Sequence, residues 1–248
     1  MDILYILWLR QIKRYLRSRA RLIGSLGQPL LFLFAFGFGF GPLYAKAGGG
    51  NYMQFLAPGV ICMAILFTSV FMGIEIIWDR QFGFLKETLV APVSRMQIML
   101  GRTLGGATVA TLQGVIVFLI ALLAGFRPEH WYSAALALPV MFLIALLFTA
   151  FGTGIASVMS DFHGFQLVMN FLVMPLFFLS GALFPLNDLS PALATLVRID
   201  PLTYGVDALR GAFLDTAHLG MGLDFSVLSL ITVLCLVVGS HLFSKIEV

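Results

Sequence analysis

Charge is distributed along the chain so that six long stretches hold no Asp, Glu, Lys or Arg: 22–45, 55–74, 103–126, 131–160, 165–186 and 225–243. About 20 apolar residues in a helix cross a hydrocarbon core of roughly 30 Å, so each stretch is long enough to span a membrane. The exclusion of charge is the discriminating feature. One Arg, Lys or Asp at mid-helix costs roughly 2.5 to 3.5 kcal/mol, against about 0.3 to 0.6 gained per Leu or Phe. The pattern predicts an all-α membrane protein with six transmembrane helices, built as a single domain over residues 1–248.

The polar intervals predict further elements. In residues 1–21, Leu4, Trp8, Ile12, Tyr15 and Leu16 fall on one helical face, with Arg10, Lys13, Arg14, Arg17 and Arg21 opposite. This is the pattern of an amphipathic interfacial helix, drawn to anionic lipid at about 1 kcal/mol per basic residue. Residues 79–95 form a charged island punctuated by Gly83 and Pro92. In 187–224, Asp188, Arg198, Asp200, Asp207, Arg210, Asp215 and Asp224 leave no room for another span. Ser190-Pro191 and Asp200-Pro201 each join an N-cap side chain to Pro at the first helical position, which predicts two short helices. The first would carry Leu193, Leu196 and Val197 on one side, the second Tyr204, Ala208 and Phe213. The pair reads as an outer re-entrant helical hairpin, since non-spanning backbone at membrane depth must be buried in protein or line a cavity.

Composition agrees: 60% of residues are hydrophobic, 11% are charged and the mean hydropathy is +0.99, whereas soluble domains are about 25% charged. Orientation follows from the basic residues. With six spans and the N-terminus inside, Arg10, Lys13, Arg14, Arg17, Arg19, Arg21, Arg80, Lys86, Arg95, Arg102 and Lys245 lie on the cytoplasmic side, against Lys46, Arg127, Arg198 and Arg210 outside. Both termini and the 79–95 island are then cytoplasmic.

Catalytic and metal patterns are missing from the sequence. No Gly-x-x-x-x-Gly-Lys-Ser/Thr loop is present, and Gly37-Phe-Gly39-Phe-Gly41 lies inside an apolar run without the strand-turn-helix setting that cradles phosphate. His130, His163, His218 and His241 have no metal-ligand spacing, and Gly-x-Ser-x-Gly does not occur. The chain is expected to be no enzyme, with no cofactor, no metal and no nucleic acid partner. Cys62 and Cys235 read as small apolar residues within spans. Glu75 alone is an ionisable residue at the edge of a span, and its distance of about one turn from Asp79 and Arg80 places it at the inner interface. Phe32, Phe36 and Phe40 share one face of the first span, and Gly101-x-x-x-Gly105 and Gly152-x-Gly154 permit close helix approach.

Two segments carry a family resemblance. Trp78-Asp79-Arg80-Gln81-Phe82-Gly83-Phe84-Leu85-Lys86-Glu87, followed by Ala91-Pro92-Val93-Ser94-Arg95 and Leu100-Gly101-Arg102, resembles the loop after the second span of ABC-2 type transporter permeases. Leu179-Ser180-Gly181-Ala182-Leu183-Phe184-Pro185, with Arg198-Ile199-Asp200-Pro201-Leu202-Thr203-Tyr204 and Asp207-Ala208-Leu209-Arg210, is similar to that family's fifth span and outer hairpin. The likeness is to the drug-resistance and nodulation-factor export branch, similar to daunorubicin-resistance permeases. Gln81 departs from it, standing where an acid is expected after Arg80.

The resemblance implies a permease subunit of an exporter in a bacterial or archaeal cytoplasmic membrane. A separate ATP-binding cassette ATPase subunit, holding ATP and Mg, would drive it, with a second permease copy beside it. Residues 79–95 become a coupling helix that docks on the ATPase: Phe82, Leu85 and Leu89 as apolar anchors, Lys86 and Glu87 as a polar rim, Pro92 as a stop, and Gly83 and Arg95 as its ends. The outer hairpin is represented by Pro191, Arg198, Asp200, Pro201, Tyr204, Asp207 and Arg210. An amphiphilic drug, lipid or glycoconjugate is the implied cargo. A secondary transporter or channel working without an ATPase is the alternative, and an intramembrane enzyme a more distant one.

Overall fold

The computed structural model describes residues 3–46, 50–90, 93–186 and 190–246, which form helices without strands. They run α1 (Ile3–Arg17), α2 (Arg19–Gly39), α3 (Gly41–Lys46), α4 (Tyr52–Phe71), α5 (Ile74–Gln81), α6 (Phe84–Val90), α7 (Arg95–Leu123), α8 (Trp131–Val158), α9 (Phe162–Leu179), α10 (Pro191–Ile199), α11 (Pro201–Leu214) and α12 (Met221–Ser244). Among the described residues, six segments are long and apolar enough to cross a membrane: Arg19–Gly39, Tyr52–Gln81, Arg95–Leu123, Ala135–Val158, Phe162–Leu179 and Met221–Ser244. The expected class, all-α with six transmembrane helices, is the observed one.

Local chemistry sets the helix starts. Asn51 accepts from the Met53 amide, Ser94 from Gln97 and Asp161 from Gly164, each supplying an acceptor to a free first-turn N–H of α4, α7 and α9. Ser190 occupies the cap position of α10 without a side-chain hydrogen bond, whereas Asp200 caps α11 through Leu202 at 2.9 Å. Both helices of the expected hairpin are present.

Several span boundaries differ from the sequence reading, the fifth span ending at Leu179 rather than 186, and charge pairing explains two of the differences. The second span does not stop at residue 74. After a break at Met72 and Gly73 it continues as α5, because the charged residues of its last turns find partners inside the bundle. The third begins at Arg95 rather than 103, with Arg102 in its interior and 2% exposed. The first runs Arg19–Gly39, and residues 41–46 form the separate α3.

The second span is central, with 78% of its most apolar window buried, against 17% for the first and the last. α8 packs on α4, α7, α11 and α12. The second and fourth spans meet at Gly73 and Gly152. A Cβ on Gly152 would meet the Val70 carbonyl, and one on Gly73 the Gly152 carbonyl.

α1 is seated on protein. It runs in the same direction as α7, with Leu4 and Leu7 over Gly101, Trp8 and Gln11 over Gly105, and the Trp8 indole N–H donating to Thr108 Oγ1 at 3.0 Å. Tyr15 donates to Gln113. The Gly101-x-x-x-Gly105 spacing thus receives a helix of the same chain. The buried stripe is Leu7, Gln11 and Tyr15, while Leu16 is 51% exposed, so the face is rotated from the expected one. The reason is that α7 offers a small-residue groove and hydrogen-bond partners, which a lipid surface lacks.

Candidate functional site

Glu75 and Asp79 are four residues apart on α5 and share one face. Arg102 of α7 meets Asp79 Oδ2 at 2.6 Å, Arg10 meets its Oδ1 at 3.3 Å, and Arg14 lies 3.6 Å from both acids. Arg21 of α2 meets Glu75 Oε1 at 2.6 Å. Arg14 and Arg21 also lie over the Trp78 ring, each 5.8 Å from its centroid. Glu75 and Asp79 are 2% and 3% exposed and Arg102 is 2% exposed, so the Arg102–Asp79 pair is inside the structure and solvent screens it little, whereas Arg10, Arg14 and Arg21 reach the acids from partly exposed positions. The ion pairs strap α1, α2, α5 and α7 together. Glu75 is thus held in ion pairs, and three arginines expected to face lipid turn to these acids. The sequence signal was the i, i+4 spacing of Glu75 and Asp79 opposite an isolated Arg102.

The neighbouring residues brace the loop between the second and third spans. Arg80 donates to the carbonyls of Ser157 at 2.8 Å and Met159 at 3.2 Å, and Gln81 to that of Ser160, closing the C-terminal end of α8. Arg80 thus bonds backbone, and no acid is needed at position 81. Arg95 donates to the carbonyls of Ser244 and Ile246 at 3.0 and 2.7 Å.

Between these braces lies α6. Gly83 has φ of +80°, a conformation costly for any residue with a Cβ, and it turns the chain from α5 into α6. Phe82 is 72% exposed and Phe84 52%, and both lie outside the six candidate spans. Lys86 is exposed too. Leu85 is fully buried against the chain's own core, so its contact is intramolecular, and Phe84 takes the outward position expected of Leu85 as a docking anchor. Glu87 and Leu89 lie in α6, but their side chains are outside the described residues, as is Pro92 altogether. Beside Phe82 a cavity of about 570 Å³ is lined by Trp78, Gln81, Asp161, Phe162 and His163. A second, of about 360 Å³, lies between α2, α4 and α5, with Phe67, Phe71 and Trp78 as apolar walls and Arg21, Gln28 and Thr68 as polar groups.

At the opposite end of α4, the expected hairpin residues are brought together. Thr203 Oγ1 and Tyr204 OH donate to the carbonyls of Val197 and Arg198, tying α11 to the last turn of α10. Asp207 accepts from the His218 and Leu219 amides at 2.9 and 2.7 Å. Arg210 donates to the Gly181 carbonyl at 2.8 Å and lies 4.0 Å from the Phe55 ring centroid. α11 is buried on nearly all sides; Ala208 and Phe213 are inside and Tyr204 is half-buried. α10 is mostly exposed: Val197 is buried, but Leu193 and Leu196 face out. Pro191 and Pro201 occupy the first turns of their helices, and Arg198 is exposed.

Burial pushes the Asp200 carboxyl up to about 7, above the value near 4 of an unfolded Asp. The folded chain then binds more protons than the unfolded one between about pH 4 and 7, so the stability this group contributes is lost as pH rises through that window. Asp200→Asn keeps the cap acceptor and removes the titration. Melting curves in detergent at pH 5 and 8 should show the wild type losing several degrees more than the variant on going to pH 8. Parallel losses would place the titration elsewhere.

Residues 3–214 match the family described as ABC-2 type transporter. Nodulation protein J of Rhizobium leguminosarum bv. trifolii is 30% identical over 208 residues, covering 83% of this chain and 76% of that protein. Nodulation protein J of Rhizobium meliloti (strain 1021) is 28% identical over 211 residues, 84% of this chain and 80% of the relative. The inner membrane transport permease YadH of Escherichia coli (strain K12) is 28% identical over 225 residues, 90% of this chain and 87% of its own length.

Proposed function

The chain belongs to the ABC-2 type transporter family, and on that premise we propose that it is the permease subunit of an exporter driven by a separate ATP-binding cassette subunit docked on α6. It is a multi-pass membrane permease. The observation that carries the reading is the pair Phe82 and Phe84, two exposed rings on a short helix whose flanks are fastened to α8 through Arg80 and to residues 244 and 246 through Arg95. Exposed aromatics at the centre of a patch are the usual anchors of protein interfaces, and Lys86 supplies a polar rim. A push on α6 reaches the spans with little loss when the helix is braced at both ends.

The remaining assignments follow from this docking. α1, α6 and residues 244–246 gather at one end of the bundle, which supports placing both termini and α6 on the cytoplasmic side of a bacterial or archaeal inner membrane. A second permease copy completes the pathway. The cargo is an amphiphile, drug-like, lipid or glycoconjugate, for which the 360 Å³ cavity with aromatic walls and an Arg21–Gln28 edge has the size and polarity. ATP and its magnesium belong to the partner.

Asp224 favours the alternative of a carrier without an ATPase. It is fully buried in the first turn of α12, and neither carboxyl oxygen has a partner among the described residues. Its place at a helix N-terminus, where the macrodipole offsets negative charge, keeps this reading second.

Purification from native membranes should recover a cassette ATPase with the chain. Phe82→Ala with Phe84→Ala should reduce that recovery, and ATP-dependent export, about tenfold or more while the melting temperature stays put, because both rings are exposed. Uphill solute movement by vesicles holding this chain alone overturns the proposal, and so does a double variant that couples normally.

A further inference from the structure

A cavity of about 230 Å³ lies beneath the α10–α11 hairpin, at the end of the bundle away from α6. Pro185 and Arg198 on its lining are exposed, so it reaches the surface. Its inner wall carries Arg210, 6% exposed, whose guanidinium is held in place by the Gly181 carbonyl and the Phe55 ring. The Nε–H of Arg210 is buried and has no hydrogen-bond partner among the described residues. An unmatched donor on a buried charged group is costly, so an acceptor that reaches it is held strongly.

The balance of charge gives the sign of that acceptor. Arg198 and His218 stand at the mouth, and Arg210 lies deeper. Among the described residues Asp207 is the carboxylate on the lining, and both its oxygens are engaged by the His218 and Leu219 amides. Burial lowers the Arg210 pKa only to about 10, so it stays cationic at neutral pH. Phe55, Pro185, Leu186 and Val206 belong to its apolar part. The volume falls below the roughly 300 to 1,000 Å³ of pockets that enclose a whole drug-sized ligand, which suits a headgroup whose tail stays outside.

We infer that this cavity binds the phosphate of a phosphate ester, its oxygens on Arg210 and Arg198 and its first carbons against Phe55 and Leu186. Guanidinium forks match phosphate oxygens two at a time, a geometry an ammonium cannot copy. The site lies apart from α6 and needs no nucleotide, so it stands or falls independently of the coupling proposal.

The test uses the full chain in an uncharged maltoside detergent, titrated with dioleoylphosphatidylglycerol and followed by native mass spectrometry. Arg198→Ala and Arg210→Lys should each weaken retention of the lipid about tenfold or more. Arg198 is exposed and its side chain makes no hydrogen bond among the described residues, so that variant tests the site even where Arg210→Lys does not fold. Dioleoylglycerol, which lacks the phosphate, should bind no tighter to the wild type than to either variant. Displacement of the lipid by glycerol 3-phosphate assigns the recognition to phosphate esters at large, soluble ones included; retention in its presence assigns it to a membrane lipid. Equal binding of phosphatidylglycerol by the wild type and Arg198→Ala, or equal binding of the two lipids by the wild type, overturns the inference.

Discussion

Asp79→Ala should lower the melting temperature of the purified chain by roughly 10 °C. Asp79 is 3% exposed and faces Arg102, itself 2% exposed, at 2.6 Å, with Arg10 at 3.3 Å. Removing one member of a buried ion pair costs about 3 to 5 kcal/mol, because the other is left as an uncompensated charge. Arg102 is ill placed to absorb the loss: its Nε and Nη1 already lack partners among the described residues. Asp79→Leu combined with Arg102→Leu should recover most of the stability, since both desolvation penalties disappear together. Thermal melting of Asp79→Leu, Arg102→Leu and the double variant closes the cycle. Additive losses would mean that the two side chains do not stabilise each other.

The second large effect is expected from a single methyl group. Gly152→Ala should destabilise by about 1 to 3 kcal/mol, a typical overpacking cost, because its Cβ lands on the Val70 backbone carbonyl. A flexible side chain could move aside, but the backbone of a packed span cannot without shifting the helix. Gly24 of α2 is the control, where an added Cβ meets nothing within 4 Å. There alanine should stabilise by a few tenths to about 1 kcal/mol through helix propensity. Opposite signs in melting experiments are the expected result, and a loss of equal size at both positions would remove the crossing as the cause.

Which features were legible in the sequence follows from which interactions are local. The spans were legible because exclusion of charge from lipid is a property of each stretch by itself. Their inner boundaries were not, since Glu75 and Asp79 look like the ends of spans until Arg10, Arg14 and Arg21 of distant helices neutralise them, and Arg102 looks like one until it meets Asp79. The two hairpin helices were legible from Pro191 and Pro201. The burial of Asp207 and Arg210 was not, because their partners are backbone groups at His218, Leu219 and Gly181 that no residue pattern announces. At α6, Gly83 signalled the turn, but the inward direction of Leu85 and the outward one of Phe84 depend on how the loop is braced.

The Gly101 to Gly105 groove has a consequence for stoichiometry. Paired glycines of this spacing commonly bring two separate membrane helices together, yet here α1 of the same polypeptide already fills the seam. Any protomer that joins this one laterally must meet other faces, and the least covered spans are the first, fifth and last, where Phe34, Phe38, Phe171, Phe178, Leu230 and Leu234 point outward.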